Sequence, residues 1–249
     1  MTDMNGTRVV VTGGGQGMGR AHCVELARRG AHVAVLDRDT AALEETMKLL
    51  EGRESIGLQC DVSDRAAVES AVAETVERFG GLDAVVSNAG TIHTTQGLAD
   101  TDDEDWDRTF AVHVGGARNL CRAALPHLRR SPAPRVVIVS SMWAQRGPGF
   151  GYAYCSAKGA LLAFAKNLAV EAGPDGILVN CIAPGSVPTR MTDDYGPEEI
   201  AEDCKTIPLG RWGETEEISK LVCFLASSET AYITGQTVAI NGGQIIASF

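Results

Sequence analysis

The chain has 249 residues, enough for one large α/β domain or two small ones, with 44% hydrophobic and 22% charged residues and no apolar run of about eighteen residues, the length needed to span a bilayer. Its formal charge of −10 argues against nucleic acid and membrane as partners, because anionic surfaces are bound by clustered Lys and Arg that displace counterions. An anionic cofactor is still allowed, since backbone amides at a helix N-terminus hold anions and do not enter a charge count.

Along the chain, short β-branched runs alternate with longer helical patterns, which predicts a parallel sheet with crossover helices. RVVVT (8–12) is the first strand and runs into TGGGQGMG (12–19), followed by a helix near 17–29 that Gly30 closes. A glycine-rich turn between strand and helix bends tightly and lets a phosphate reach the first helical amides without a Cβ in the way. Gly13, Gln16, Gly17, Met18 and Gly19 are therefore candidate dinucleotide-binding residues, with Gly17 and Gly19 also serving helix-to-sheet packing.

The second strand, HVAVLD (32–37), ends at Asp37. A carboxylate there accepts hydrogen bonds from both adenosine ribose hydroxyls and repels a 2′-phosphate. With the neutral Gln16, this favours NAD over NADP. Arg38 supports the opposite choice, since an arginine at that point can bind the phosphate, and a solvated turn is the plainest reading of the Asp37-Arg38 pair.

A helix near 40–51, the strand SIGLQCDV (55–62), a helix near 64–79 and the strand LDAVVSN (82–88) come next. A helix over about 102–130 carries Gly115-Gly116 in its interior, at about 1 kcal/mol per glycine relative to alanine. Close packing is the expected reason, either within one subunit or between subunits. The strand RVVIVSS (135–141), a helix near 153–172, the strand ILVNCIAPG (177–185), a helix near 214–227 and the strand TVAINGG (237–243) complete about seven strands and six helices. No linker or repeat divides them, so one domain over 1–249 is expected. The least regular stretch, 185–213, is rich in Pro, Gly and acidic residues, and a long loop of that kind in a compact domain is often a lid or binding loop.

The seven cysteines are scattered, odd in number and free of any C-x-x-C pair. They read as reduced thiols of a cytoplasmic protein, with no disulfide framework and no metal site. The opening MTDMNGTRVVVTGG lacks a basic segment followed by a long apolar one, so no secretory signal is expected.

GYAYCSAK (151–158) holds two tyrosines and one lysine. Only Tyr154 has Lys158 four residues on, where side chains overlie on one helical face. With these motifs in place, the chain resembles the short-chain dehydrogenases/reductases over nearly its whole length. The resemblance rests on TGGGQGMG, Asp61-Val62, SNAG (87–90), Ser141, Tyr154-x-x-x-Lys158, PGSVPT (184–189) and the segment from PLGRWG to TVAINGG. It implies an α/β fold, a single-domain Rossmann fold whose doubly wound parallel sheet of about seven strands has helices on both faces. It also implies that Asp61 and Val62 flank the adenine and that Asn88, Ala89 and Gly90 line the cofactor near its ribose. Val187 and Thr189 would hold the nicotinamide carboxamide, with Pro184 and Gly185 shaping the turn. A homotetramer is a further implication, built by pairing the 102–130 and Tyr154 helices with their copies, and the apolar tail IIASF is a second candidate interface element.

Moving a hydride between a carbinol carbon and a nicotinamide requires a group that takes or returns the hydroxyl proton. Tyrosine can do both, once its pKa of about 10 is brought down by two to three pH units, about 3–4 kcal/mol. Lys158 is expected to supply the positive charge that does so, and the resemblance adds a hydrogen bond from Lys158 to the nicotinamide ribose. Ser141, thirteen residues before Tyr154, would hold and polarise the substrate oxygen. His113 stands where an asparagine is usual in the family, one that holds a helix kink and a water of the proton relay. It is read either as a titrating member of that relay or as a histidine hydrogen-bonded inside the helix.

The substrate is expected among the loop 190–213 and residues 91–97 and 142–152. Met142, Trp143, Phe150 and Tyr152 would form an apolar wall suited to a secondary alcohol or ketone with hydrophobic or cyclic substituents. The alternatives are an NADP-linked ketone or 3-oxoacyl reductase and, from another class, a dinucleotide-sensing protein without chemistry.

Overall fold

A computed structural model describes residues 2–92, 97–147 and 150–246 of the chain. Seven strands, β1 (Arg8–Thr12), β2 (His32–Asp37), β3 (Ser55–Gln59), β4 (Ala84–Ser87), β5 (Arg135–Val139), β6 (Leu178–Pro184) and β7 (Thr237–Ile240), form one parallel sheet in the order β3-β2-β1-β4-β5-β6-β7. The register is set from the middle outward, with Val10 of β1 opposite Ala34 of β2 on one side and Val85 of β4 on the other. β1, β2, β4, β5 and β6 are almost wholly buried and read as continuous Val/Ile/Ala runs. That is the composition of a parallel sheet covered on both faces. The edge strands β3 and β7 keep partly exposed residues.

The covering helices are α1 (Gly17–Arg28), α2 (Thr40–Leu49), α3 (Arg65–Phe79), α4 (Asp103–Phe110), α5 (Gly116–Leu128), α6 (Tyr152–Ala172), α7 (Pro197–Thr206) and α8 (Thr215–Ala226). Capping chemistry places several of their ends. Asp39 accepts from the amides of Ala41 and Ala42 to start α2, Asp64 does the same for Ala66 and Ala67 at α3, and Gly80 closes α3 at φ 73°. Residues of α3, α5 and α6, including Val68, Leu120 and Leu161, pack on one face of the sheet. Residues of α1, α2 and α8, including Leu26, Leu43 and Val222, pack on the other. Each such side chain contributes about 1.5–3 kcal/mol on burial, so both faces are strongly specified.

The strand order reverses between β1 and β4, and a crevice opens at the carboxyl ends of strands at such a point. This crevice positions the site. Three expectations are corrected. The expected helix over 102–130 is α4 and α5 joined by a π turn, Ala111–Gly115, in which His113 is the buried residue. The expected strand over 55–62 ends at Gln59, so Asp61 and Val62 sit in the turn before α3. The irregular 185–213 contains a 3₁₀ turn at Arg190–Thr192 and the helix α7, whose Gly196-Pro197 start and acidic first turn, Glu198 and Glu199, are helix-start chemistry. Gly116 is accounted for within the subunit, because a Cβ there would come within 2.7 Å of Val62 Cγ2. Residues 93–96 and 148–149 of the expected substrate surround, and 247–249 of the apolar tail, lie outside the described residues.

Candidate active site

The glycine turn is built for close approach. Gly13 and Gly17 adopt φ of 65° and 52°, which side chains rarely tolerate. A Cβ on Gly13 would lie 2.8 Å from Ala89 Cα, and one on Gly19 would overlap the Gly13 carbonyl and crowd Asn88 Nδ2. Asn88 holds this turn by donating from Nδ2 to the carbonyls of Thr12 (3.0 Å) and Gly13 (3.2 Å). Thr12 Oγ1 accepts from the amides of Asn88 and Ala89, so the ends of β1 and β4 are tied into one rim. Asp37 closes the rim, accepting from the amides of Gly15 (2.8 Å) and Asp39 (3.0 Å).

One cleft runs along this rim. Gly13, Gln16, Gly17, Met18, Gly19, Asp37, Asp61, Val62, Asn88, Ala89, Gly90, Tyr154, Lys158 and Thr189 all line it. Ser63 gives Asp61 two hydrogen bonds, and that pairing lowers the Asp61 pKa. Arg38 and Arg190 line the cleft as well. Arg190 has no sequence signature, and it reaches the cleft because Thr189 and Thr192 cap the 3₁₀ turn that carries it. Its Nη1 donates to Gln16 Oε1 at 3.4 Å, bridging the cleft.

A second cavity adjoins the first and is lined by Ser141, Pro184, Gly185 and Val187 together with Met142, Trp143 and Phe150. Tyr195, Asp203 and Trp212, within the expected substrate loop, complete its wall. Tyr152 does not line it. That side chain is 50% exposed at the start of α6, because Tyr152 and Tyr154 are about 200° apart around a helix of 3.6 residues per turn.

Tyr154 lines both cavities. Ser141, which acts to lower the Tyr154 pKa, accepts from the Trp143 amide at 3.2 Å. Lys158 Nζ stands 5.5 Å from the Tyr154 ring centre and donates to the Val139 carbonyl at 2.9 Å, while Ser140 Oγ donates to the Lys158 carbonyl at 2.8 Å. The expected depression of the Tyr154 pKa is not produced by the chain alone. Burial pushes it up to about 12, only partly opposed by Ser141, and burial also lowers Lys158 to about 8. Removing both groups from water outweighs a lysine that is turned toward a carbonyl.

His113 is buried and lines neither cavity. Its Nε2 lies 3.0 Å from the Thr91 amide nitrogen and 2.8 Å from the Thr91 carbonyl oxygen, and its ring stands edge-on to Tyr154 at 5.6 Å. A Cβ on Gly90 would press on His113 Cε1 at 2.6 Å. Among the described residues no group of His, Cys, Asp and Glu is placed to hold a metal, and no helix is long and apolar enough to cross a membrane.

A family model described as enoyl-(acyl carrier protein) reductase matches residues 13–244. An uncharacterized short-chain type dehydrogenase/reductase of Sinorhizobium fredii is 38% identical over 98% of this chain and 99% of its own. The chain belongs to the short-chain dehydrogenases/reductases. A further member of this oxidoreductase family, meso-2,3-butanediol dehydrogenase of Serratia marcescens, is 33% identical over 94% of this chain and 93% of its own. Among solved structures of short-chain dehydrogenases/reductases, levodione reductase superposes with a TM-score of 0.92 at 31% identity, covering 96% of this chain and 98% of that one. The Rossmann-type sheet expected from the sequence is the one observed.

Proposed function

We propose that this chain transfers a hydride between NAD(H) and a secondary alcohol or its ketone, hydrophobic or cyclic, with Tyr154 as general acid/base. The observation that carries this reading is the place of Tyr154, whose side chain is shared by the glycine-rimmed cleft and the aromatic cavity. When bound, the nicotinamide supplies the hydride acceptor or donor. The chain's residues do the rest. Gly13, Gln16, Gly17, Met18 and Gly19 leave room for a diphosphate against the α1 amides, and Arg190 offers it a guanidinium. Asp37 keeps acceptor capacity for ribose hydroxyls, since two amides do not use up the lone pairs of a carboxylate. Asp61, Val62, Asn88, Ala89 and Gly90 line the adenosine half, and Pro184, Gly185, Val187 and Thr189 bound the nicotinamide half. Ser141 donates to the substrate oxygen. Tyr154 takes the hydroxyl proton during oxidation and returns it during reduction, and Lys158 keeps positive charge beside the phenol.

NAD is favoured because Asp37 occupies the position a 2′-phosphate would need. The second reading, an NADP-linked reductase that includes 3-oxoacyl reduction, is supported by Arg38 in the lining. His113 is read as a tether of the π turn to Thr91. The reading also includes a cytoplasmic homotetramer pairing through α5 and α6, which light scattering checks, and buried thiols at Cys23, Cys60, Cys121, Cys181 and Cys223 suit a reducing compartment.

A panel of secondary alcohols and ketones followed by NADH absorbance tests the activity. Turnover with NAD(H) exceeding that with NADP(H) is expected. Tight NADH binding with no turnover of any member would favour the sensing alternative.

A further inference from the structure

Asp203 lies on α7, and its carboxylate is where three separated segments meet. Oδ2 accepts from Ser186 Oγ and from Trp212 Nε1, each at 2.7 Å, and Oδ1 accepts from Gln244 Nε2 at 2.9 Å. Ser186 is in the turn after β6, Trp212 in the approach to α8 and Gln244 beyond β7. Gln244 Nε2 also reaches Thr206 Oγ1, at the end of the same helix, at 3.1 Å.

α7 needs such an anchor. Its ten residues include none that is buried, and a helix of about that length is marginal in water without tertiary packing. Hydrogen bonds to an ionised acceptor at these distances are among the stronger ones. The anchored groups lead toward the chemistry. The Trp212 ring meets Tyr195 at 5.8 Å, Tyr195 meets Phe150 at 6.4 Å, and Phe150 meets Tyr154 at 5.6 Å, all edge-on. Asp203 itself lines the aromatic cavity but not the glycine-rimmed cleft.

We propose that Asp203 is a positioning residue for substrate. By accepting from Ser186, Trp212 and Gln244 it pins α7 over the cavity and sets the Trp212–Tyr195–Phe150 wall that presses a neutral ketone or alcohol toward Tyr154. With three donors on it, the carboxylate shapes the pocket instead of binding a cation. This rests on the reading of the site as an alcohol/ketone oxidoreductase, and part of its test does not depend on that reading.

Asp203→Asn keeps the size of the side chain but removes its negative charge and leaves one acceptor oxygen for the three donors. Hydrogen exchange of amides 198–206 is expected to quicken at least about tenfold with the strands unchanged. NADH affinity, read by fluorescence, should stay within about twofold, while KM for a ketone that the wild type reduces rises at least about tenfold and kcat changes less than about threefold. Trp212→Phe, which keeps a ring and removes the N–H, should loosen the same amides and add little on top of Asp203→Asn. Unchanged exchange in both variants, or an NADH Kd that rises in step with KM, overturns the proposal. If Asp203→Asn fails to fold, Trp212→Phe and Ser186→Ala carry the exchange comparison. A wild type that binds NADH and reduces no ketone would sink the functional reading, and the exchange result would still decide whether Asp203 holds α7.

Discussion

Lys158 Nζ donates to the Val139 carbonyl at 2.9 Å, tying the second turn of α6 to the carboxyl end of β5. This bond sets the distance between the lysine charge and the Tyr154 phenol, and Ser140 holds the Lys158 carbonyl as well. With its pKa raised to about 12, the phenol is protonated throughout the neutral range, ready to donate in ketone reduction. Alcohol oxidation needs the deprotonated form, so oxidation should accelerate as pH rises toward 8 while reduction stays flat, and above that pH Lys158, lowered to about 8, loses its charge. Tyr154→Phe removes the proton donor alone. Its kcat should fall by about 10²–10⁴ in both directions with NADH affinity kept, as measured by fluorescence titration. A kcat within tenfold of wild type would remove Tyr154 from the chemistry.

Cofactor choice is proposed to rest on Asp37. Asp37→Asn retains an acceptor for the Gly15 amide and removes the negative charge, so the ratio of kcat/KM for NAD to that for NADP should drop by about tenfold, the effect of about 1.4 kcal/mol. An unchanged ratio would transfer the discrimination to other residues of the cleft.

At Gly19 the prediction is steric. The Cβ of Gly19→Ala overlaps the Gly13 carbonyl, and overpacking of this kind costs about 1–3 kcal/mol. Chemical denaturation should show that loss, and isothermal titration should show NADH binding weakened with it. Wild-type affinity in the alanine variant would mean that the turn is not a close-packed phosphate cradle.

His113→Asn separates a tether from a proton relay. If His113 only joins the π turn to Thr91, the pH profile of kcat stays superimposable on wild type while stability falls by about 1–3 kcal/mol, the cost of a disturbed buried hydrogen bond. A displaced profile would assign His113 a titrating role.

Stability toward acid should depend on His22, buried between α1 and α8 with Nδ1 2.8 Å from Ser219 Oγ. Burial lowers its pKa to about 3 from an ordinary 6.5. The unfolded chain therefore binds the extra proton between those values. The His22 contribution is complete above pH 6.5 and is lost progressively as pH falls toward 3, amounting to about 2 kcal/mol at pH 5. His22→Asn keeps a donor near the Nδ1 position, and urea unfolding from pH 7.5 to 5 should show a flatter pH dependence. An equal slope in both proteins would place the acid sensitivity elsewhere.

Alternating β-branched runs and helical patterns were sufficient to read the parallel sheet, because strands buried on both faces must be apolar along their whole length. The glycine turn, Asp37, Tyr154 and Lys158, which line the cleft, and Ser141, which lines the adjoining cavity, were candidates from residue type and local spacing alone. The π turn at Ala111–Gly115 was not, because a one-residue insertion leaves the apolar pattern of α4 and α5 almost intact. The exposure of Tyr152 and the inward place of Tyr154 depend on where Gly151 starts α6, a choice of helical phase made by packing. Arg190 and Asp203 carry no local signature at all. Each acts across more than forty residues or on several segments at once, Arg190 toward Gln16 and Asp203 toward Ser186, Trp212 and Gln244, and such meetings exist only after the sheet has brought the carboxyl ends of its strands together.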